Sequence, residues 1–402
     1  LYLFEMKFVL SSLLLASTSA LFRTVEEPIA DSYLIKFKKD TPEHVISAHT
    51  DLTQANAVTI SRKWSFGDFK GYAASIKDKE LLAKIEQLPE VEWVEEDGVM
   101  SIDQACNTQK GATWGITRTS EKVLNPDGLY SYTLDGTGVT VFVIDTGIYI
   151  DHNDFGGRAV WGTNTVDSGT KDGNGHGTHC AGTIGGTTYG MAKNAKLVAV
   201  KVLSDSGSGS TQSVIDGISW AVKNKNGPSI GSMSLGGGKS ATLNSAVSNA
   251  VSQGLVMVVA AGNDNRDACN YSPASTPEAI TVAASDNKDT KATFSNYGTC
   301  VELFAPGVAI TSTWIGSPSS VNTISGTSMA CPHVAGQAAK YLQKNPSASA
   351  SVVKAWLDGN GQKDIIKNVP VTPKTPNVLL FADCSTTSAV PSNETVSLSK
   401  RY

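Results

Sequence analysis

Long apolar runs are missing from this 402-residue chain. No uninterrupted stretch reaches the roughly 18 residues that a membrane-spanning helix needs, so no membrane partner is expected. A surplus of basic charge is missing too. With 33 Lys+Arg against 37 Asp+Glu the formal net charge is −4, the wrong balance for a surface that binds phosphates, which argues against nucleic acid as a partner. Charged residues are few, 17% against 40% hydrophobic, and that excludes a mostly disordered chain. The length is too great for one small domain; two folded units with tails are expected.

Cysteine is sparse, six residues at 106, 180, 269, 300, 331 and 384, and its meaning depends on compartment. The segment Met6-Lys7-Phe8-Val9-Leu10-Ser11-Ser12-Leu13-Leu14-Leu15-Ala16 carries one positive charge and a short apolar stretch. Small residues follow in Ala16-Ser17-Thr18-Ser19-Ala20. Residues 1–20 therefore read as an N-terminal extension and secretory signal, and the destination as extracellular. Leu1 to Glu5 have no functional reading. An oxidising destination permits disulfides, but spacing alone does not choose the pairing.

From about Asp31 to Asp103 the hydrophobic period changes repeatedly. Ser32–Phe37 reads as a strand, and Thr41-Pro42-Glu43 opens a helix to about Gln54. Strands at Ala57–Ile60 and Lys70–Ile76 flank the turn Phe66-Gly67-Asp68, Asp78 caps a second helix, and Val91–Glu95 closes as a strand. The order β-α-β-β-α-β predicts a ferredoxin-like α+β module over residues 21–106. Residues 107–384 are larger and more Gly-rich. Val139–Ile144, Leu197–Val202 and Leu255–Ala260 are nearly continuous apolar runs, as in strands of a mainly parallel sheet covered on both faces. A helical pattern follows the capping candidate Ser210, and the alternation predicts an α/β three-layer sandwich. Residues 385–402 form a Ser/Thr-rich tail.

Reactive groups in such sheets gather beyond the carboxyl ends of strands. The first apolar run ends in Asp145-Thr146-Gly147. The loop Asp172-Gly173-Asn174-Gly175-His176-Gly177-Thr178-His179 delivers His176 at a helix start. Ser325-Gly326-Thr327-Ser328-Met329-Ala330 sets Ser328 at the head of an apolar helix, with Pro332 expected in its first turn. An acid, an imidazole and a hydroxyl are what acyl transfer requires. A serine hydroxyl is a poor nucleophile until a base removes its proton, and the base needs a carboxylate to fix its tautomer.

These three segments resemble the signatures of the subtilisin-like serine proteases, whose chain order is also Asp, His, Ser. Cys180 directly after His179 resembles the proteinase K-like branch, as do Asn270–Ser275, Phe294–Gly298 and Ser312–Gly316. The similarity spans about Trp114 to Phe381, and Tyr33 to Glu96 is similar to the family's inhibitory propeptide.

The resemblance implies Ser328 as nucleophile, His176 as general base and then acid, and Asp145 as orienting carboxylate. It implies an oxyanion hole of Asn263 and the Ser328 backbone N–H. Peptide and protein substrates would add as a strand between Ser234-Leu235-Gly236-Gly237 and Gly207-Ser208-Gly209, with broad specificity and an apolar or aromatic preference before the scissile bond. Thr211 stands where the branch often carries tyrosine, which predicts a wider, less selective distant subsite. The enzyme would be a monomer, made as a zymogen, with its own propeptide as intramolecular inhibitor and the cut between about Ser101 and Lys110. No catalytic cofactor is implied.

A structural calcium is implied at the carbonyls of Pro277 and Ala279 and a carboxylate, here Glu302 where the family pattern has Asp. Cys269 and Cys300 resemble a family disulfide. Cys106 with Cys384 is one pairing that could tie the mature termini together, and the sequence does not fix that connectivity. Cys180 and Cys331 read either as a bridge or as two reduced core thiols, with the second preferred. Asn393-Glu394-Thr395 is a glycosylation acceptor; His176 with His179 is rejected as a zinc pair, since nothing nearby completes a ligand set.

Two readings from other classes compete. A binding protein on a protease scaffold, plugged by its own propeptide, would not require the triad and Asn263. An α/β-hydrolase esterase would need a G-x-S-x-G elbow and the order Ser, Asp, His. Ser328 comes last and sits in Gly326-Thr327-Ser328-Met329-Ala330, so that reading fails.

Overall fold

The computed structural model describes residues 21–25, 28–56, 58–98, 106–124, 127–381 and 384. These fall into two compact units, residues 21–98 and residues 106–384. The expected signal segment, the tail and Asn393 lie outside the described residues. No helix among those described is long and apolar enough to cross a membrane.

In the smaller unit, helices Glu43–Ala55 and Lys79–Glu86 pack on a sheet ordered Leu21–Arg23, Val91–Gly98, Pro28–Phe37, Phe69–Ser75, Thr59–Phe66. Apart from the added edge strand Leu21–Arg23, this is the ferredoxin-like arrangement that the hydrophobic periods predict. Asp78 caps its helix as expected, accepting from the N–H groups of Glu80 and Leu81. The core is built on Ile35, Phe37, Tyr72, Ile76, Val94 and Ile85. It also holds His49, which bridges Glu90 at 2.8 Å and the Tyr72 hydroxyl at 3.0 Å.

The larger unit carries a nine-stranded sheet. From edge to edge its order is Gln362–Lys363, Val378–Leu379, Leu303–Pro306, Ile280–Ser285, Val256–Ala260, Ser229–Met233, Thr140–Asp145, Lys196–Lys201, Ala159–Asn164. Every neighbouring pair is parallel except the first. The three apolar runs form three of these strands within one residue of the expected bounds. Helices Thr211–Asn224 and Ala241–Ser252 cover one face, with Val214, Ile218 and Val247 packed on Phe142, Val200 and Val259. Helices His176–Gly185 and Thr327–Lys344 cover the other. Ser210 caps its helix by accepting from Ser213 N–H.

Two disulfides lie in this unit, Cys269–Cys300 and Cys106–Cys384. Cys180 and Cys331 are buried free thiols. Cys106, expected at the end of the propeptide region, is bonded to Cys384 and belongs to the larger unit, so the division between the units falls before it.

Candidate active site

The chain order of the sheet reverses beside Thr140–Asp145, because its neighbours on either side come from later in the chain. Crevices form at the carboxyl edge of such switch points, and Asp145 stands there, fully buried. Its Oδ1 accepts from His176 Nδ1 at 2.8 Å and from Thr146 N–H at 2.7 Å. Burial pulls the His176 imidazole down, but the facing Asp145 carboxylate outweighs it and holds the ring well above its usual range. Cys180 beside it is itself pushed up by burial, so it stays a neutral thiol.

The loop that aims His176 is organised by Asp172, a residue sequence reasoning did not single out. Its carboxylate accepts from Thr146 Oγ1, the N–H groups of Asn174, Gly175 and Thr178, and Thr178 Oγ1. A signal was present: an Asp at the head of a Gly-rich loop entering a helix is a natural acceptor for stray backbone N–H groups. Gly175 has φ +105°, and a Cβ there would lie 2.6 Å from the Trp314 ring, so only glycine suits the turn.

Ser328 is the second residue of the helix Thr327–Lys344. Pro332 lies deeper in that helix than the first turn expected for it. Its missing N–H leaves the Ser328 carbonyl without an intrahelical partner, and Ser234 Oγ at 2.8 Å and Cys180 Sγ at 3.4 Å donate to it instead. The Ser328 hydroxyl donates to the Ser234 carbonyl at 3.1 Å. Among the described residues no hydrogen bond joins it to His176, contrary to expectation. Such contacts are often long without substrate and tighten when it binds. Cys180 spans the two, 4.0 Å from His176 Nδ1 on its other side.

Asn263 follows the strand Val256–Ala260. Its Oδ1 accepts from Thr327 N–H at 2.8 Å and Thr327 Oγ1 at 2.9 Å, which turns its amide nitrogen toward the cleft. A Cβ added to Gly326 would sit 3.5 Å from Ser328 N and 3.7 Å from Asn263 Nδ2, so both nitrogens border one small space. This is the arrangement that two oxyanion donors need.

A Subtilase family model matches residues 136–368. The chain belongs to the subtilase family. A second model, Peptidase inhibitor I9, matches residues 32–103. This subtilase is 48% identical over 336 residues to a "Cuticle-degrading serine protease" of Arthrobotrys oligospora, covering 78% of this chain and 81% of that one. It is 49% identical over 314 residues to an "Extracellular serine proteinase" of a Thermus species, covering 78% and 75%. The crystal structure of a cold adapted subtilisin-like serine proteinase superposes with a TM-score of 0.66 at 47% identity, covering 68% of this chain and all of that one. The enzyme is a serine peptidase with a subtilisin-like catalytic fold and an I9 domain before it.

The cleft of this subtilase has two adjoining parts. One, of about 460 Å³, has Gly207, Ser208, Gly209 and Thr211 on one wall and Ser234, Leu235, Gly236 and Gly237 on the other, with His176 at the end. The second, of about 350 Å³, shares Leu235 to Gly238 and adds Ala260, Ala261, Asn263, Ala274 and Ser328. All the residues singled out for substrate binding thus line one continuous groove. Asn174 Nδ2 donates to Asp205 O at 3.0 Å, tying the Gly207 wall to the His176 loop.

His179 takes no part. Burial pushes it down to about 4, its Nε2 faces Ile310 O at 2.9 Å, and it packs edge-on to Trp314. His176 and His179 are thus held by different acceptors, the first through Nδ1 by Asp145 and the second through Nε2 by the Ile310 carbonyl.

At the position expected for calcium the residues do not fit the ion. The oxygens of Pro277, Ala279 and Glu302 do converge, but on the ammonium of Lys354. Its Nζ donates to Pro277 O at 3.1 Å and Ala279 O at 3.4 Å and is ion-paired to Glu302 Oε1. Burial pushes the Glu302 carboxyl above its usual range, and Lys354 opposes that. A calcium ion among these oxygens would press against a like charge, so the residues do not fit it.

Proposed function

We propose that this subtilase is a secreted serine endopeptidase, made as a zymogen, that hydrolyses peptide bonds through an acyl-enzyme. The observation that carries this is the Asp145–His176 hydrogen bond at the edge of a groove that also holds Ser328 and two inward-facing nitrogens.

An extended peptide lies between Gly207-Ser208-Gly209 and Ser234-Leu235-Gly236-Gly237 and pairs with them through main-chain hydrogen bonds. Main-chain pairing makes specificity broad. The walls of Leu235, Ala260, Ala261 and Ala274 favour an apolar or aromatic side chain before the scissile bond. As substrate enters, the Ser328 hydroxyl exchanges the Ser234 carbonyl for His176 Nε2. His176 takes the proton as Ser328 Oγ attacks the carbonyl carbon, and Asp145 holds the imidazolium. The oxyanion is met by Ser328 N–H and Asn263 Nδ2, each worth about 3–4 kcal/mol of transition-state stabilisation. His176 then returns the proton to the leaving amine, and water releases the acyl group by the same steps in reverse order.

The I9 domain supports intramolecular inhibition before processing. The extracellular relative and the Met6–Ala20 signal pattern support secretion. Labelling by a fluorophosphonate tests the proposal. Processed protein should react at Ser328, and Ser328→Ala should abolish the signal; an unreactive processed protein would point to a binding role on a protease scaffold.

A further inference from the structure

The Lys354 ammonium is fully matched by its surroundings. It carries three N–H donors and no acceptor, and three oxygens from two segments of the chain face it: Pro277 O and Ala279 O from one and Glu302 Oε1 from the other. Its position is set by helix register rather than chance. Lys354 lies on Ala350–Asn360, which is capped by Ser349 and buries Val353, Trp356 and Leu357. Trp356 packs against Tyr341 of the Ser328 helix, the rings tilted by 30° with centroids 4.6 Å apart. Glu302 immediately precedes the strand Leu303–Pro306, and Ala279 precedes Ile280–Ser285. The longer Glu arm lets one carboxylate serve two donors, with Oε2 accepting Thr281 N–H at 2.6 Å while Oε1 meets Lys354.

We propose that Lys354 is a tethered cation occupying what would otherwise be a metal position, and that it joins the helix Ala350–Asn360 to two central strands without calcium. Two backbone carbonyls and a carboxylate are hard oxygen donors of the kind that hold calcium. In this chain they are neutralised from within by a side chain that cannot be removed by a chelator or diluted away. Removing the ammonium should therefore uncover a calcium site that the natural protein lacks.

The test uses the full chain with Ser328→Ala, which prevents self-digestion, and reads the melting temperature in EDTA and in millimolar calcium chloride. The response that matters is the part abolished by Glu302→Gln, because that isolates this position from any other. With Lys354 present, Glu302→Gln should leave the calcium response unchanged. With Lys354→Ala, calcium should raise the melting temperature by about 5 °C at a hundredfold excess over Kd, and adding Glu302→Gln should remove the gain. Should Lys354→Ala not accumulate, Lys354→Gln serves the same comparison. A calcium response of the Lys354 protein that Glu302→Gln abolishes would overturn the proposal. So would a Lys354 variant that gains no Glu302-dependent response.

Discussion

Ser234 and Ser328 exchange two hydrogen bonds: Ser234 Oγ donates to Ser328 O at 2.8 Å, and Ser328 Oγ donates to Ser234 O at 3.1 Å. The first exists because Pro332, four residues along the helix, has no N–H to claim the Ser328 carbonyl. The missing N–H of Pro332 thus leaves room for a latch between the Ser328 helix and the end of the strand Ser229–Met233. Ser234→Ala should cost about 1 kcal/mol in urea unfolding and leave the serine reactive to fluorophosphonate. An unchanged unfolding midpoint would show that Cys180 satisfies the carbonyl alone.

His176 is held above its ordinary value of 6.5 by Asp145. The imidazolium cannot accept a proton, so kcat/KM should climb with pH along a limb whose midpoint lies above 6.5. The sign for stability is opposite. The ion pair stabilises the free enzyme fully below the unfolded value, and that contribution fades as pH rises through the higher folded one. Asp145→Asn should lower kcat about 10⁴-fold and shift the limb downward. A limb that stays in place would assign it to another group.

Asn263 both donates toward the cleft and holds Thr327 through Oδ1. Asn263→Asp keeps the acceptor and removes the donor, so it separates the two roles. It should lower kcat by about 10²–10³ with little change in KM or melting temperature. A comparable loss of stability would mean that the residue serves mainly to anchor Thr327.

Gly326→Ala places a methyl beside Ser328 N and Asn263 Nδ2 at ordinary contact distances. The free enzyme should fold normally, while the methyl competes with the oxyanion for its space. The expected result is a fall in kcat, checked by burst kinetics on an ester substrate, with an unshifted melt.

Cys106 and Cys384 close a loop of 278 residues, and Cys269 and Cys300 one of 31. In the entropic account these constrain the unfolded chain by about 5–6 and 3–4 kcal/mol respectively. Cys106→Ala should lower the melting temperature more than Cys300→Ala. Propeptide cleavage should fall upstream of Cys106, and N-terminal sequencing of processed protein checks this. A start after Cys106 would separate the cysteine from the enzyme it ties.

Local patterns in the chain were enough to place the three apolar strands, the caps at Asp78 and Ser210, and the strand-helix alternation of both units. They sufficed because each depends on a period or a turn residue within a few positions. The motifs around Asp145, His176, Asn263 and Ser328 were legible for the same reason, since each is a short segment with its own chemistry. What lay beyond reach were relations between distant segments. Asp172 as the organiser of the His176 loop, the Ser234–Ser328 latch, the choice of Cys384 for Cys106, and the Ser328 hydroxyl bonded to the Ser234 carbonyl all depend on how strands and helices meet.

Lys354 shows the difference most plainly. In the chain it is one charged residue on a half-buried helix, next to Val353 and two before Trp356. Nothing at that position announces an ionic partner 52 residues upstream. The composition by itself determined that the chain is globular and weakly acidic, the alternation of strand and helix patterns that it is α/β, and its motifs named the family's chemistry. Only the packing of Ala350–Asn360 against the sheet decided which cation Glu302 would meet, because charges select partners by distance in space and not along the chain.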